Sequence, residues 1–241
     1  VSPRSGRRAR PVIFHWNEAC SDGGVVIDDL RAVRDDPACV WIVSDGVRIG
    51  LIDRVSGERH GVCVGTVLDA ETAGRIDAEV RERLCDRSAV RMLAARSHTA
   101  AMLGRKLVMR GHDRVTAARV CERWRERGAI DDARFAETAV RNELARRPAG
   151  RRLLESKLAA KGVGRAAADA AIDAALSGRD ELSDAIEFAR RSVGSIARSL
   201  RGQGDRGDVV RRRAFGRLAR RGFSGDTSRR AIDIAMREIE A

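Results

Sequence analysis

Three times in this chain a basic residue is followed by Leu, two spacers, a second basic residue and Gly. The copies are Lys106-Leu107-Val108-Met109-Arg110-Gly111, Lys157-Leu158-Ala159-Ala160-Lys161-Gly162 and Arg217-Leu218-Ala219-Arg220-Arg221-Gly222. A Gly at the end of a helix takes φ > 0 without a Cβ clash and stops the helix there. Replacing it costs on the order of 1 kcal/mol. The Leu four residues earlier points into a core. The two bases sit near the helix C-terminus, where the macrodipole favours cations. Ten residues after each Gly stand Cys121, Ile172 and Ile232, apolar positions of a following helix. A frame repeated in this way predicts tandem copies of one three-helix unit of about 50 residues each. The wider spacing of the third copy coincides with the Gly-rich stretch RGQGDRGD at 201–208, which reads as a loop.

Apolar residues between these marks recur at helical spacing from about residue 86 onward. Val115, Ala118, Cys121 and Trp124 form one set, Phe135, Ala136, Ala139, Val140 and Leu144 another, and Ala231, Ile232, Ala235, Met236 and Ile239 the last. Aromatics are only 3% of the chain and Tyr is absent, so the cores must be built from Leu, Ile, Val and Ala, which leans towards helix. Before residue 86 the pattern differs. CVWIV, then Ser44-Asp45-Gly46, then VRIGLI predicts a β-hairpin, with Asp-Gly as its turn. HGVCVGTVL is a further strand candidate that could pair with the hairpin, and residues 70–84 return to helical spacing. The expected fold is mainly α: three tandem three-helix repeats (86–130, 131–178 and 179–241) behind a small α+β region (38–85). A basic disordered tail and linker is expected over 1–37.

The charge is uneven. Residues 1–85 hold 12 Lys/Arg against 14 Asp/Glu, whereas residues 86–241 hold 35 against 21. The excess positive charge therefore lies with the repeats, and a polyanionic partner suits it. The bases of the frame, if brought along one side of a curved array, would make a basic stripe. The five cysteines are scattered without a C-x-x-C and no His stands at zinc-finger spacing, so reduced thiols and no metal site are expected. The opening VSPRSGRRARP is not followed by an apolar run of leader length, and no run approaches the ~20 residues of a membrane span. A cytoplasmic location is the expectation. An enzyme is disfavoured. The four His are isolated, the Asp pairs at 28–29, 35–36 and 131–132 are adjacent and so do not share a helix face, and no phosphate-binding G-x-x-x-x-G-K-[ST] occurs.

The stretch Gly128-Ala129-Ile130-Asp131-Asp132-Ala133-Arg134-Phe135-Ala136, followed by Val140-Arg141, resembles the signature of RecX proteins, bacterial regulators of the RecA recombinase. The Leu-x-x-Lys-Gly helix end at 158–162 and Gly222-Phe223-Ser224 at the start of the last helix are also similar to that family. The resemblance covers roughly residues 86–241. It departs from the pattern at Ala139, where an aromatic is common, and at RRPAGRRLL before the second Lys-Gly helix. It implies a monomer with no catalysis and no cofactor. Such a protein lodges in the groove of the RecA–DNA filament and suppresses ATP hydrolysis, strand exchange and coprotease activity, with weak non-specific affinity for single- or double-stranded DNA.

On that reading Arg141, Arg151, Arg152, Lys157 and Lys161 are the filament- or DNA-contacting candidates, extended by Lys106, Arg110, Arg217 and Arg221. For any single one of them a solvated helix face is the favoured account. Gly111, Gly162 and Gly222 are structural. So are Asp132, as the N-cap of the helix starting near Ala133, Arg134 beside it, and Phe135 in the core. The rival reading is a tandem helix-turn-helix DNA binder without RecA dependence. Its weakness is that the third helices, RAAADAAIDAAL and DTSRRAIDIAM, offer few base-reading side chains, and aromatics for base stacking are scarce.

Overall fold

The computed structural model describes residues 24–34, 36–200 and 207–240. The tail at 1–11, Cys20 and most of the Gly-rich stretch lie outside the described residues. The chain divides into two units, one comprising the residues up to Ser97 together with Leu103–Ala129, the other His98–Met102 together with the residues from Ile130 onward.

The first unit contains β1 (Val25–Val26), β2 (Asp29–Val33), β3 (Asp36–Ser44), β4 (Val47–Asp53), α1 (Arg54–Arg59), β5 (Val67–Leu68) and α2 (Ala70–Ala95). The hairpin is present as β3–β4. Ser44 pairs with Val47 across Asp45 and Gly46, whose φ values of 48° and 75° are both left-handed, the twist that a two-residue hairpin turn needs. Two expectations are corrected here. Residues 29–33, read as linker, add an antiparallel edge strand to the hairpin, so the sheet order is β2-β3-β4. The HGVCVGTVL stretch does not join that sheet. Its Val67–Leu68 pairs instead with β1 in a separate two-stranded ladder. The β1–β5 pairing joins residues more than 40 positions apart and leaves no local trace, whereas β2 and β3 follow one another in the chain and meet with Val33 opposite Asp36.

Ile42, Ile49 and Ile52 of the sheet pack against Ala73, Ile76 and Val80 of α2. Beyond Val80 the same helix runs on without Gly or Pro and buries Cys85, Ala89 and Met92 on its second half. The boundary placed at 85/86 therefore falls in mid-helix. That second half, α3 (Ala100–Met109) and α4 (Arg114–Glu126) form the first helical repeat, with Leu103, Leu107, Val120 and Cys121 buried.

The second unit holds α5 (Asp132–Arg146), α6 (Arg151–Lys161), α7 (Arg165–Leu176), α8 (Glu181–Ser199), α9 (Gly207–Arg220) and α10 (Gly225–Glu240). Ala136, Val140, Leu154, Leu158 and Ile172 centre one apolar core, against which Phe135 packs partly buried. Ala189, Val193, Ala214, Leu218, Phe223 and Ile232 centre the next. Gly207 and Asp208, read as loop, open α9. The N-cap of α5 is Asp131, not Asp132: its carboxylate accepts from the Arg134 N–H at 2.9 Å. Asp132 reaches away from its own helix and accepts from the Ala100 N–H at 3.0 Å, capping the start of α3. Arg134 is exposed.

Candidate interaction surface

The three frames fold into one local structure. Leu107, Leu158 and Leu218 are buried, and Gly111, Gly162 and Gly222 stand at φ 96°, 76° and 83°. In each the Gly N–H donates three residues back, to Val108, Ala159 or Ala219, at 2.8–3.0 Å. The next N–H, of His112, Val163 or Phe223, donates to the carbonyl of the buried Leu at 3.1–3.3 Å. This is the paired closure that satisfies the last carbonyls of a helix. Two residues after each Gly the next helix is capped by Asp113, Gly164 or Ser224; the Asp and Ser side chains accept from Thr116 N–H at 2.8 Å and Thr227 N–H at 3.1 Å.

Two of these ends are also joints. The Lys161 carbonyl accepts from the Thr99 hydroxyl at 2.6 Å, and a Cβ on Gly162 would stand 2.4 Å from Ala101 Cβ. The Arg221 carbonyl accepts from the Gly150 N–H at 2.9 Å. A Cβ on Gly222 would stand 2.3 Å from the Leu153 nitrogen, and one on Gly150 2.2 Å from the Gly222 oxygen. In both cases a helix end abuts the first turn of another helix, α6 on α3 and α9 on α6, and only Gly permits the approach.

The second joint is fastened by Arg221. Its guanidinium donates to the carbonyls of Pro148 (2.9 Å) and Arg147 (2.7 Å) and to Glu143 (2.8 Å), and lies 5.8 Å from the centre of the Phe188 ring. Lys157 pairs with the other oxygen of Glu143. Burial alone would raise the Glu143 pKa, but the hydrogen bonds from Lys157 and Arg221 outweigh it and hold the carboxyl below its ordinary value.

The nine basic candidates differ in what they contact. Arg151 pairs with Asp173 of α7 and Lys157 with Glu143 of α5. Arg221 is largely buried, Arg217 reaches the Ser192 carbonyl at 3.4 Å, and Lys106 is half-buried. Arg110, Arg141, Arg152 and Lys161 are exposed, with no ion-pair partner among the described residues.

Charge is concentrated instead in a cleft of about 510 Å³ in the second unit, lined by Arg147, Phe188, Arg191, Ser192, Ser195, Arg217, Arg220 and Arg221. Among the described residues no carboxylate lines it. Arg191 pairs with Glu187 at its edge, while Arg147 and Arg220 are exposed without an ion-pair partner among the described residues. Phe188 lies under Arg221 and beside Phe223, whose ring centre is 6.4 Å away, so its face is not open to a base. The cleft can take anionic oxygens through forked guanidinium donors. Sequence reading named Arg217 and Arg221 here but missed Arg147, Arg191 and Arg220. Arg220 had a local signal, being a base at a spacer position that holds Met109 and Ala160 in the other copies.

Among the described residues no group of three or more His, Cys, Asp or Glu is placed to hold a metal ion, and no helix is long and apolar enough to cross a membrane. Cys39, Cys63, Cys85 and Cys121 are free thiols. Burial pushes Cys85 up to about 12 and Cys121 up to about 11, so both stay protonated and act as core.

Residues 131–172 match the family model described as the second three-helix domain of RecX. A protein of a Mycobacterium species (strain JLS) named regulatory protein RecX is 34% identical over 160 residues, 66% of this chain and 84% of that one. One of the same name from Halorhodospira halophila is 34% identical over 170 residues, 70% of this chain and 95% of that one. The crystal structure of a regulatory protein RecX superposes with a TM-score of 0.58 at 19% identity, over 87% of this chain and 99% of that one. That of RecX from Lactobacillus salivarius gives 0.52 at 17% identity, over 66% and 97%, a likeness of fold.

Proposed function

The chain belongs to the RecX family of regulatory proteins, and from that premise we propose that it is a cytoplasmic, non-enzymatic regulator that binds the RecA–DNA filament and lowers its ATPase, strand-exchange and coprotease activities. One observation carries the reading beyond the family name. After the internal ion pairs are formed, the second unit still presents Arg141, Arg152 and Lys161 and a cleft in which Arg147, Arg217 and Arg220 have no ion-pair partner among the described residues. Such a surface suits a polyanionic partner and reads no base sequence, because its contacts are to phosphate or carboxylate oxygens and no aromatic face is offered. The protein acts as a monomer without a cofactor on this account, and its affinity for free DNA is weak and salt-dependent.

The test is ATP hydrolysis by the cognate RecA on single-stranded DNA, titrated with this protein at moderate salt. Loss of hydrolysis well below one protein per RecA is the expected result. Arg147→Glu with Arg220→Glu should raise the concentration needed by at least tenfold while leaving the melting temperature unchanged, since neither side chain makes an ion pair within the described protein. Inhibition only when the protein coats the DNA would favour the tandem helix-turn-helix reading instead.

A further inference from the structure

The three helix ends differ in one respect. Gly162 and Gly222 each meet the first turn of another helix, whereas among the described residues a Cβ on Gly111 would meet nothing within 4 Å. The carbonyls of Lys161 and Arg221 accept from Thr99 Oγ1 and Gly150 N–H, and among the described residues no backbone donor reaches the carbonyl of Arg110. Yet the α3 end is built like the others, with the same left-handed Gly and the same closing bonds.

The surface around it is also unlike theirs. Val108, Met109 and Val115 are 39%, 79% and 69% exposed. Their counterparts at the joints are Ala159, Ala160 and Ala166 in one copy and Ala219, Arg220 and Asp226 in the other. An exposed face of a repeat is ordinarily polar. An apolar cluster placed there marks a contact.

We propose that the Gly111 end of α3 is a docking site for the N-terminal turn of an α-helix in another protein. Resting on the function proposed above, that protein is a subunit of the recombinase filament. The occupant's form is given twice in this chain: a helix start that offers an N–H or hydroxyl to the carbonyl before the Gly, with a small residue facing the Gly. The charges agree. A helix N-terminus carries partial positive charge towards the carbonyl end of α3, and exposed Arg110 and Arg114 favour an occupant with acid in its first turn. Met109 and Val115 supply the apolar contact. The helix starts of this form in the chain itself are already engaged, at Thr99 by the Gly162 end and at Gly150 by the Gly222 end. The position equivalent to Thr99 and Gly150 in the last repeat is Val210, which is buried inside α9 rather than standing at its start.

Met109→Glu with Val115→Glu tests the site, since both side chains are exposed and the fold loses no buried contact. Thermal melting should match the wild type. In co-sedimentation with RecA–single-stranded DNA filaments, the double variant should need at least tenfold more protein for half-saturation. Wild-type binding with unchanged binding of the variant overturns the docking site and leaves the regulatory reading standing. A wild type that does not bind the filament overturns both. A photo-crosslinker replacing Met109 then identifies the occupant. An adduct on the first turn of a RecA helix is the expected product. An adduct on DNA, on a RecA strand or loop or on a second copy of this chain, or no adduct, overturns the assignment.

Discussion

Gly222 and Gly111 end helices written in one six-residue frame and closed by the same two hydrogen bonds, yet a Cβ on one would press against Leu153 and on the other would meet nothing within 4 Å among the described residues. The comparison separates two uses of a single residue. The left-handed backbone is a local requirement, common to every copy. The missing Cβ is a tertiary requirement, present only where a second helix start lies against the helix end. A repeated motif therefore establishes a repeated fold but not a repeated environment, and the copy with the empty environment is the one to examine for a partner.

The largest difference should appear at the joint. Gly222→Ala forces a Cβ to within 2.3 Å of the Leu153 nitrogen at φ 83° and should destabilise the second unit by about 3 kcal/mol in urea unfolding. Gly111→Ala carries only the backbone strain, about 1 kcal/mol. Equal losses at the two positions would break the comparison.

A middle-sized effect is expected at Glu143, the carboxylate shared by Arg221 and Lys157. Glu143→Gln should cost about 2 kcal/mol at neutral pH, mostly through Arg221, because Lys157 is half-exposed and screened. The pH dependence follows from the lowered folded pKa. The stabilisation is fully present above the unfolded carboxyl value of about 4.3 and is lost as pH falls through the folded value. Below that the wild type and the Gln variant should converge. A gap that persisted in acid would mean that the carboxylate's charge is not what fastens the joint.

Much of the fold was legible because it is local. The Leu-x-x-x-Gly closure and the Asp-Gly hairpin turn involve partners within five residues. What escaped depends on distance along the chain. Arg221 reads as a surface base, and its role as a clamp becomes visible only when Glu143, 78 positions away, lies beside it. Asp131 and Asp132 are equally good caps on paper, and the first turn of α3 decides that Asp132 serves another helix. The continuous α2 was cut at 85/86 because its two halves serve different cores, although nothing in its residues breaks it. The basic cleft gathers side chains from the loop after α5 and from α8 and α9, which no spacing rule connects.

The central claim is that helix ends in this chain are joints wherever a helix start abuts the closing Gly. The most direct test is a double-mutant cycle on Gly162→Ala and Ala101→Gly, followed by urea unfolding. The added Cβ would stand 2.4 Å from Ala101 Cβ but 3.8 Å from its Cα, so removing the Ala101 methyl should relieve the clash. The account predicts that Ala101→Gly destabilises the wild type yet costs nothing, or restores stability, in the Gly162→Ala background, with a coupling of at least about 1 kcal/mol. Additive losses would contradict it and leave Gly162 with a backbone role alone.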